Sequence, residues 1–434
     1  MPALYTITTR ASGTILTAAI YNADHQNHVN FGDAQHLGSF SQNQGQMQTQ
    51  ATPGDVGSES LAVSISDELA RIRYMISQIR GTTYWYSASA TQGAYPIGAV
   101  PAGFRNVLYN PNMYLAQRIG MTNGNSLAIE ASTTAYQADR WYVGTGANQA
   151  GVVNWYVSGT VGNVGQINIT ARSAGQTGTG AQYIAQPLDS DQIVPLQGKY
   201  VTATVRLGTG AGWAASAIAV QLFVGTGTPA KRGAGFTGET QVINQNLNTT
   251  ASMATTTFSA TSGSPVPINA TQGEVRLLWN PVGTAIAGEA LYLLNVQLEA
   301  GTQFSGFEYR PAAVELGICQ RFYSKSFTLL TQPAQNSGAL AGVMNFAQIG
   351  GASIAQWAPS VFSFPVSMRA GPAIVLYNPS AANGQVRDAS TATDWSGSAV
   401  SYVGLNSFAL SGTPPAGSAA AHSSQFHWTA DAEI

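Results

Sequence analysis

The sequence predicts a mainly β protein, with two jelly-roll-like β-sandwich regions that follow a short N-terminal coiled-coil helix. Three observations lead to this prediction. Only 9% of the 434 residues are charged, against roughly 25% in an ordinary soluble domain, and neutral polar residues take their place. Apolar residues alternate with polar ones in many short runs after residue 84, as strands require. A heptad pattern lies between residues 61 and 81.

Residues 1–60 form a first section, in which residues 14–21 are apolar enough for a short helix or strand. Its stretch at residues 38–50 is rich in Gln, Asn and Gly. Such a stretch cannot bury enough apolar surface to fold alone. We therefore expect this section to become ordered against neighbouring subunits or a larger body.

Residues 61–81 are predicted to be a helix that associates with copies of itself. Its apolar residues are spaced alternately three and four apart, which is the a/d seam of a coiled coil: Ala62, Ile65, Leu69, Ile72, Ile76 and Ile79. Ile fills every d position, and β-branched residues there favour three or four strands over a parallel dimer. The simplest partner is another copy of the chain. The alternative is an amphipathic helix packed on its own sheet.

The remaining sequence is predicted to form two β domains, at residues 84–310 and 324–434. The clearest strand patterns lie at residues 200–207, 218–224, 274–279, 292–299, 373–377 and 421–429. Many short strands without intervening helices are typical of jelly-roll-like sandwiches. One helix is predicted at residues 311–323, because Val314, Ile318 and Phe322 are spaced four apart after Pro311. We interpret it as the link between the two domains.

Charge, cysteine and histidine usage exclude several classes of function. The net charge of −2 comes without a basic stripe, so no nucleic-acid partner is expected. Cys319 is the single cysteine, which rules out an intrachain disulfide and a cysteine-rich zinc site. His25 and His28 have a metal-compatible spacing, but a polar interface role is favoured and no metal or other cofactor is predicted. No apolar stretch is long enough to insert in a membrane, and no secretion signal is seen, so we expect folding in a cytoplasm.

Carboxylate pairs are the only features that suggest catalysis. Asp189 with Asp191, and Asp388 with Asp394, could be compared with the acid pair of a glycosidase. Both pairs lie in Ser- or Asn-containing segments, where such residues usually form turns. No nucleophile elbow or phosphate loop is present. The prediction is therefore that the protein is not an enzyme and has no catalytic residues.

Glycan binding is the function that the residues favour. Trp213 and Trp395 lie in polar, glycine-containing segments and are predicted to be exposed on loops. Asp394 is adjacent to Trp395, and Arg387 is near it in the sequence, so these two could bond sugar hydroxyls. The four residues are the predicted receptor-binding set. The alternative for each Trp is a place in a core or a subunit interface.

Short motifs along most of the chain resemble those of tail-fibre proteins of tailed bacteriophages and prophages. They occur in three blocks, in a consistent order. The first block is residues 16–28 and 57–62. The middle block is Asn110-Pro111-Asn112-Met113, Gln117-Arg118 and Ala138-Asp139-Arg140-Trp141, together with residues 296–301, 307–311 and 319–323. The last block is residues 364–369, 376–379 and 427–433.

This resemblance implies a homotrimeric fibre assembled in the host cytoplasm and located on the virion tail. Residues 1–60 would dock on a tail or baseplate protein, and residues 324–434 would form the tip. The implied function is attachment to a bacterial surface receptor, by multivalent and non-covalent binding to a glycan or protein. Two alternatives remain: a purely structural virion appendage, which the lack of a long repetitive shaft leaves open, and a polysaccharide-cutting tailspike.

Overall fold

The computed structural model describes residues 104–122, 124–157, 165–170, 172–215, 217–233, 235–348, 360–415 and 422–434. The chain divides into two units, residues 1–103 and 104–434, and every described residue belongs to the second. The predicted docking segment 1–60, the trimerising helix 61–81 and the seam residues Ile65, Leu69, Ile72, Ile76 and Ile79 lie outside the described residues. They stay predictions, as do the exact domain bounds.

Twelve strands between Ser126 and Ala300 form a β-sandwich. They are β1 (Ser126–Ile129), β2 (Thr134–Tyr136), β3 (Tyr142–Gly144), β4 (Gly151–Val157), β5 (Gly165–Thr170), β6 (Gln182–Leu188), β7 (Val201–Thr209), β8 (Ala217–Thr226), β9 (Thr237–Asn248), β10 (Thr256–Thr261), β11 (Gln272–Trp279) and β12 (Ala290–Ala300). Two six-stranded sheets have the orders β1-β4-β5-β12-β7-β10 and β2-β3-β6-β11-β8-β9. All their named pairings are antiparallel. The chain crosses repeatedly between the sheets, and the prediction of a β-sandwich is confirmed.

The sandwich core is mainly aliphatic and follows from the alternation of its strands. Along β8, Ile218, Val220 and Leu222 are all buried and belong to one core cluster with residues of the opposite sheet, such as Leu293. Because side chains alternate between faces, each strand contributes every second residue to this core. The strands predicted at residues 200–207, 218–224, 274–279 and 292–299 are confirmed as β7, β8, β11 and β12.

Short helices connect the strands. Helix α1 (Ser190–Ile193) continues into a 3₁₀ turn at Val194–Leu196. Helix α2 (Ala312–Gln320) begins after Pro311, as predicted, and ends before the next strand begins at Tyr323. No helix among the described residues is long and apolar enough to cross a bilayer.

The C-terminal region is built around one long strand. Its strands are β13 (Tyr323–Lys325), β14 (Met344–Gln348), β15 (Ser360–Ser363), β16 (Ala373–Tyr377), β17 (Arg387–Asp388), β18 (Thr393–Asp394), β19 (Ser396–Ser401), β20 (Ser407–Thr413) and β21 (His422–Asp431). Strand β21 pairs with β13, β14, β16 and β17. A three-stranded sheet of order β15-β20-β19 completes the region. The two sheets enclose a separate core, in which aromatic side chains predominate.

The motif residues of the sequence form a buried polar junction between the sandwich and the C-terminal region. The Asn110 side chain donates to the Leu115 and Asp139 carbonyls, at 2.8 and 3.0 Å. The Gln117 amide donates to the Asp139 carboxylate at 2.7 Å and to the Tyr323 carbonyl at 3.0 Å. These bonds satisfy groups that would be costly to bury unpaired. The motifs therefore hold the two regions together.

Candidate ligand-binding groove

One face of the C-terminal sheet forms the floor of an open groove. Strand β21 lies between β13 and β16, and the pairing register places Tyr323, Asp431 and Ala373 side by side. Two residues further along these strands, Thr429 of β21 pairs with Val375 of β16 in the same way. Because side chains on a strand alternate between faces, these residues share one face of the sheet. The opposite face contributes to the aromatic core.

The groove has a volume of about 530 Å³, which is in the range of small-ligand sites. Arg118, from the segment that precedes the sandwich, and Pro333 line it together with the floor residues and Tyr377. The site is thus made by both regions of the described unit. It combines apolar floor positions with a few polar groups, as ligand sites usually do.

Arg118 is held in one orientation at the edge of the groove. Its guanidinium donates to Asp431 at 3.0 Å and to Glu433 at 3.4 Å, and it lies 3.9 Å from the centre of the Tyr323 ring. Burial lowers the pKa of Arg118, but the carboxylates of Glu433 and Asp431 outweigh it and raise the pKa above its ordinary value. The side chain therefore stays charged at any physiological pH.

Tyrosines give the groove its aromatic surface. Tyr377 is half-buried, and Phe327 meets its ring edge-on with the ring centres 5.4 Å apart, which fixes the ring plane. Tyr323 is buried beneath Arg118. A ring, a hydroxyl and a charged pair can hold a sugar, because the apolar face of the sugar packs on the ring while its hydroxyls bond Thr429 and Asp431.

The structure buries both predicted tryptophans, so the expectation that they are exposed on loops is wrong. Trp395 is 2% exposed and lies in the aromatic core with Phe346, at a ring distance of 5.9 Å. Trp213 is 6% exposed in the sandwich core, and its indole donates to the Thr249 hydroxyl at 2.9 Å. The alternative interpretation, a place in a core, describes both residues. Their receptor-binding role stays untested.

Asp394 and Arg387 are brought together, as their proximity in the sequence suggested. They face each other across β17 and β18 and form a salt bridge of 3.0 Å. The amides of Asn378 and Asn383 each donate to Asp394 at 2.9 Å. Burial raises the pKa of Asp394, but the hydrogen bonds from Asn383, Asn378 and Arg387 outweigh it and lower the pKa. The cluster does not line the groove.

One carboxylate of each pair that suggested catalysis binds the backbone, as expected of a turn former, whereas Asp191 and Asp394 form salt bridges with Arg321 and Arg387. Asp189 is the N-cap of α1 and accepts from the Gln192 backbone N–H at 3.3 Å. Asp388 accepts from the backbone N–H groups of Ser390 and Thr391, at 2.9 and 3.1 Å. Within the described ranges, no group of three or more His, Cys, Asp or Glu residues could hold a metal ion.

The sequence did not predict the groove, although most of its lining residues lie in motifs or predicted strands. Arg118 and Tyr323 belong to two of the short motifs in the middle of the chain, and Tyr377 and Asp431 belong to the C-terminal ones. The strands predicted at residues 373–377 and 421–429 were a second signal, since side chains two residues apart on a strand share a face. The pairing register of β13, β16 and β21 was the missing information.

Comparisons with known proteins give no family. No protein-family model and no curated protein matches the chain. Similar solved structures include the CBM22-1–GH10 modules of Clostridium thermocellum endo-1,4-β-D-xylanase 10B with xylohexaose, at 9% identity and a TM-score of 0.24, covering 51% of this chain and 32% of that one.

Two smaller solved proteins also resemble part of the chain. The CBM22-1 xylan-binding domain of Paenibacillus barcinonensis Xyn10C has 13% identity and a TM-score of 0.24, covering 42% of this chain and 99% of that domain. A Stig cyclase from Fischerella sp. TAU has 16% identity and a TM-score of 0.26, covering 41% and 86% respectively. Likeness at this level assigns neither a ligand nor a reaction to this chain.

Proposed function

We propose that this protein is a tail-fibre protein that attaches a phage virion to a bacterial surface glycan, by non-covalent binding in the groove. The observation that carries the proposal is the groove floor, where Tyr377, Thr429 and Asp431 share one sheet face beside Arg118. This set offers both the apolar contact and the hydrogen bonds that a sugar needs. The phage-like motifs support the virion context.

The proposed mechanism is multivalent. An open groove with one half-buried tyrosine would bind a single sugar chain weakly. Three copies joined by the helix at residues 61–81 would present three grooves to the same cell surface. After the first groove binds, the others meet the surface at high effective concentration, which raises the overall affinity without new contacts.

Glycan binding is tested with bacterial surface polysaccharides immobilised on a sensor chip. Tyr377→Ala should weaken binding of the full chain about tenfold or more, because the ring is the main apolar contact of the site. Tyr402→Ala is the matched control, since Tyr402 is 81% exposed on the loop between β19 and β20 and does not line the groove. Equal loss in both variants would contradict the proposed site.

Competition with virions separates attachment from a structural role. Purified protein should reduce adsorption of the phage to its host cells, and Tyr377→Ala should not. A wild-type protein that binds no polysaccharide and does not compete would favour the structural appendage. Release of reducing ends from a bound polysaccharide would favour the tailspike.

The trimer is tested by light scattering on the full chain. We expect three copies for the wild type and a smaller particle for the double variant Ile72→Asp, Ile76→Asp, because two carboxylates per chain would be buried in the seam. A monomeric wild type would exclude the trimer.

A further inference from the structure

A row of alternating aromatic rings and cations leads from the groove onto the sandwich. The Arg118 guanidinium lies 3.9 Å from the Tyr323 ring centre and 4.8 Å from that of Tyr136. The Lys231 ammonium follows, at 4.4 Å from the Tyr136 ring and 5.0 Å from the Tyr142 ring. The row therefore continues the edge of the groove along strands β2 and β3.

Lys231 differs from the other cations on this face, because it has no carboxylate partner. Arg118 is paired with Asp431, and Arg276 forms a salt bridge with Glu274. Lys231 forms no salt bridge with any residue in the described part of the chain. It is half-buried, and burial lowers the pKa of its ammonium, although Glu433, Asp431 and Glu274 oppose this from beyond salt-bridge distance.

The loop between β8 and β9 holds Lys231 in this place. The backbone N–H of Arg232 donates to the Glu274 carboxylate at 3.0 Å. The Arg232 guanidinium binds Glu239 through two bonds of 2.9 and 2.7 Å and packs on the Phe223 ring at 3.8 Å. Both the backbone and the side chain of Arg232 are thus bound to the sandwich. The neighbouring Lys231 therefore holds its ammonium at a defined position.

An ammonium in this position favours an anionic ligand group. Contact with the Tyr136 and Tyr142 rings only partly replaces the water that burial removes. A carboxylate or phosphate at Lys231 would form a charge-assisted bond, which is stronger than a bond between neutral groups. A hydrogen bond from Lys231 to a neutral sugar hydroxyl would be weaker.

We propose that the groove continues past Arg118 to Tyr136 and Lys231, and that its ligand is an acidic glycan whose carboxylate or phosphate group binds Lys231. This inference rests on the proposed glycan-binding function and names the class of glycan. The rings of Tyr377 and Tyr136 would contact sugar units of the same chain, with Arg118 between them.

The test is an array of bacterial surface polysaccharides, each printed in native, carboxyl-reduced and dephosphorylated form. The full-length protein should bind a native acidic polysaccharide about tenfold more tightly than the form that lacks the anionic group. Loss on carboxyl reduction assigns a uronic acid, and loss on dephosphorylation assigns a phosphate. Equal binding of all three forms would overturn the inference and leave glycan binding intact, whereas no binding to any form would contradict the proposed function itself.

Three variants assign the effect to Lys231. Lys231→Met keeps the side-chain stem on the rings and should abolish the preference for the native form, while Lys231→Arg should keep it. Lys199→Met removes an exposed lysine elsewhere on the sandwich and should behave as the wild type. Melting temperatures of all variants confirm folding. A Lys231→Met variant that folds and retains the full preference would refute the role of Lys231.

Discussion

The sandwich and the C-terminal region are both β structures, but different side chains fill their cores. The sandwich has strands of up to 12 residues and a core in which Val, Leu and Ile predominate. The C-terminal region has mostly shorter strands and a core that contains Phe362, Phe364, Phe408, Phe426 and two tryptophans. Large aromatic side chains bury more surface per residue. A region with few core positions can reach sufficient burial in this way, but each position then matters more.

The largest expected effect is therefore in the aromatic core. Phe426→Ala should lower the free energy of unfolding by about 3–5 kcal/mol, the usual cost of deleting a buried aromatic ring. Phe426 is fully buried and meets Phe362 edge-on at 4.9 Å. Urea denaturation followed by tryptophan fluorescence measures the loss. Val296→Ala in the sandwich is the comparison, and a larger loss there would contradict the greater weight of each aromatic position.

The second effect concerns the contact between the two regions. Glu433 accepts from Arg118 and from the fully buried Arg140. Glu433→Gln leaves two cations without this carboxylate and should cost about 3 kcal/mol, as breaking a buried pair does. The control is Glu239→Gln. Glu239 forms a more exposed salt bridge with Arg232, and both residues belong to the sandwich, so its loss should lower the free energy of unfolding by less than about 1 kcal/mol. Calorimetry of both variants tests whether unfolding separates into two transitions when the contact is weakened. Equal costs in the two variants would show that Glu433 does not couple the regions.

A smaller effect is expected at Trp213. Trp213→Phe removes the hydrogen bond to Thr249 and some volume from the sandwich core. The expected loss of stability is about 1–2 kcal/mol, without a change in glycan binding. Thermal unfolding and the polysaccharide sensor measure the two quantities on the same sample. A loss of binding at unchanged stability would restore the interpretation of Trp213 as a receptor residue.

The smallest effect is a pH dependence confined to the C-terminal region. His427 is fully buried, stacks on Phe327 at 3.9 Å and bonds Ser326 and Ala339 through its two ring nitrogens. Burial lowers the pKa of His427 below its ordinary value of 6.5, although the bond to Ala339 opposes this. The unfolded chain therefore binds this proton first, so the contribution of His427 to stability is full above pH 6.5 and decreases as the pH falls below that value.

The His427→Gln variant measures this contribution. Its unfolding free energy should depend less on pH than that of the wild type between neutral pH and about pH 5. Subtracting the two curves removes the contributions of the buried carboxyls Asp139 and Glu315. Burial raises their pKa values, so their contributions to stability change with pH in the opposite direction to that of His427. Parallel curves would show that His427 is not responsible.

The local sequence pattern was enough to predict strands and helices. It was not enough to predict which side chains are buried or where the groove lies. The alternation in residues 292–299 predicted β12, and Pro311 predicted the start of α2, because both depend on neighbouring residues alone. The polar residues and Gly397 beside Trp395 suggested an exposed loop. In the structure Gly412 lies so close to the Trp395 ring that a Cβ there would be 3.0 Å from it, so glycine permits close packing at that point. The groove depends on residues from 118 to 431, which only tertiary pairing brings together.

Strand β21 has a consequence for synthesis. Strands β13, β14, β16 and β17 all pair with β21, although each precedes it in the chain. A chain emerging from the ribosome can close the sandwich as soon as β12 is released, but the C-terminal sheet must wait for residues 422–431. Until then the apolar faces of its earlier strands are open to other nascent chains. The C-terminal sheet is therefore expected to form later than the sandwich during synthesis.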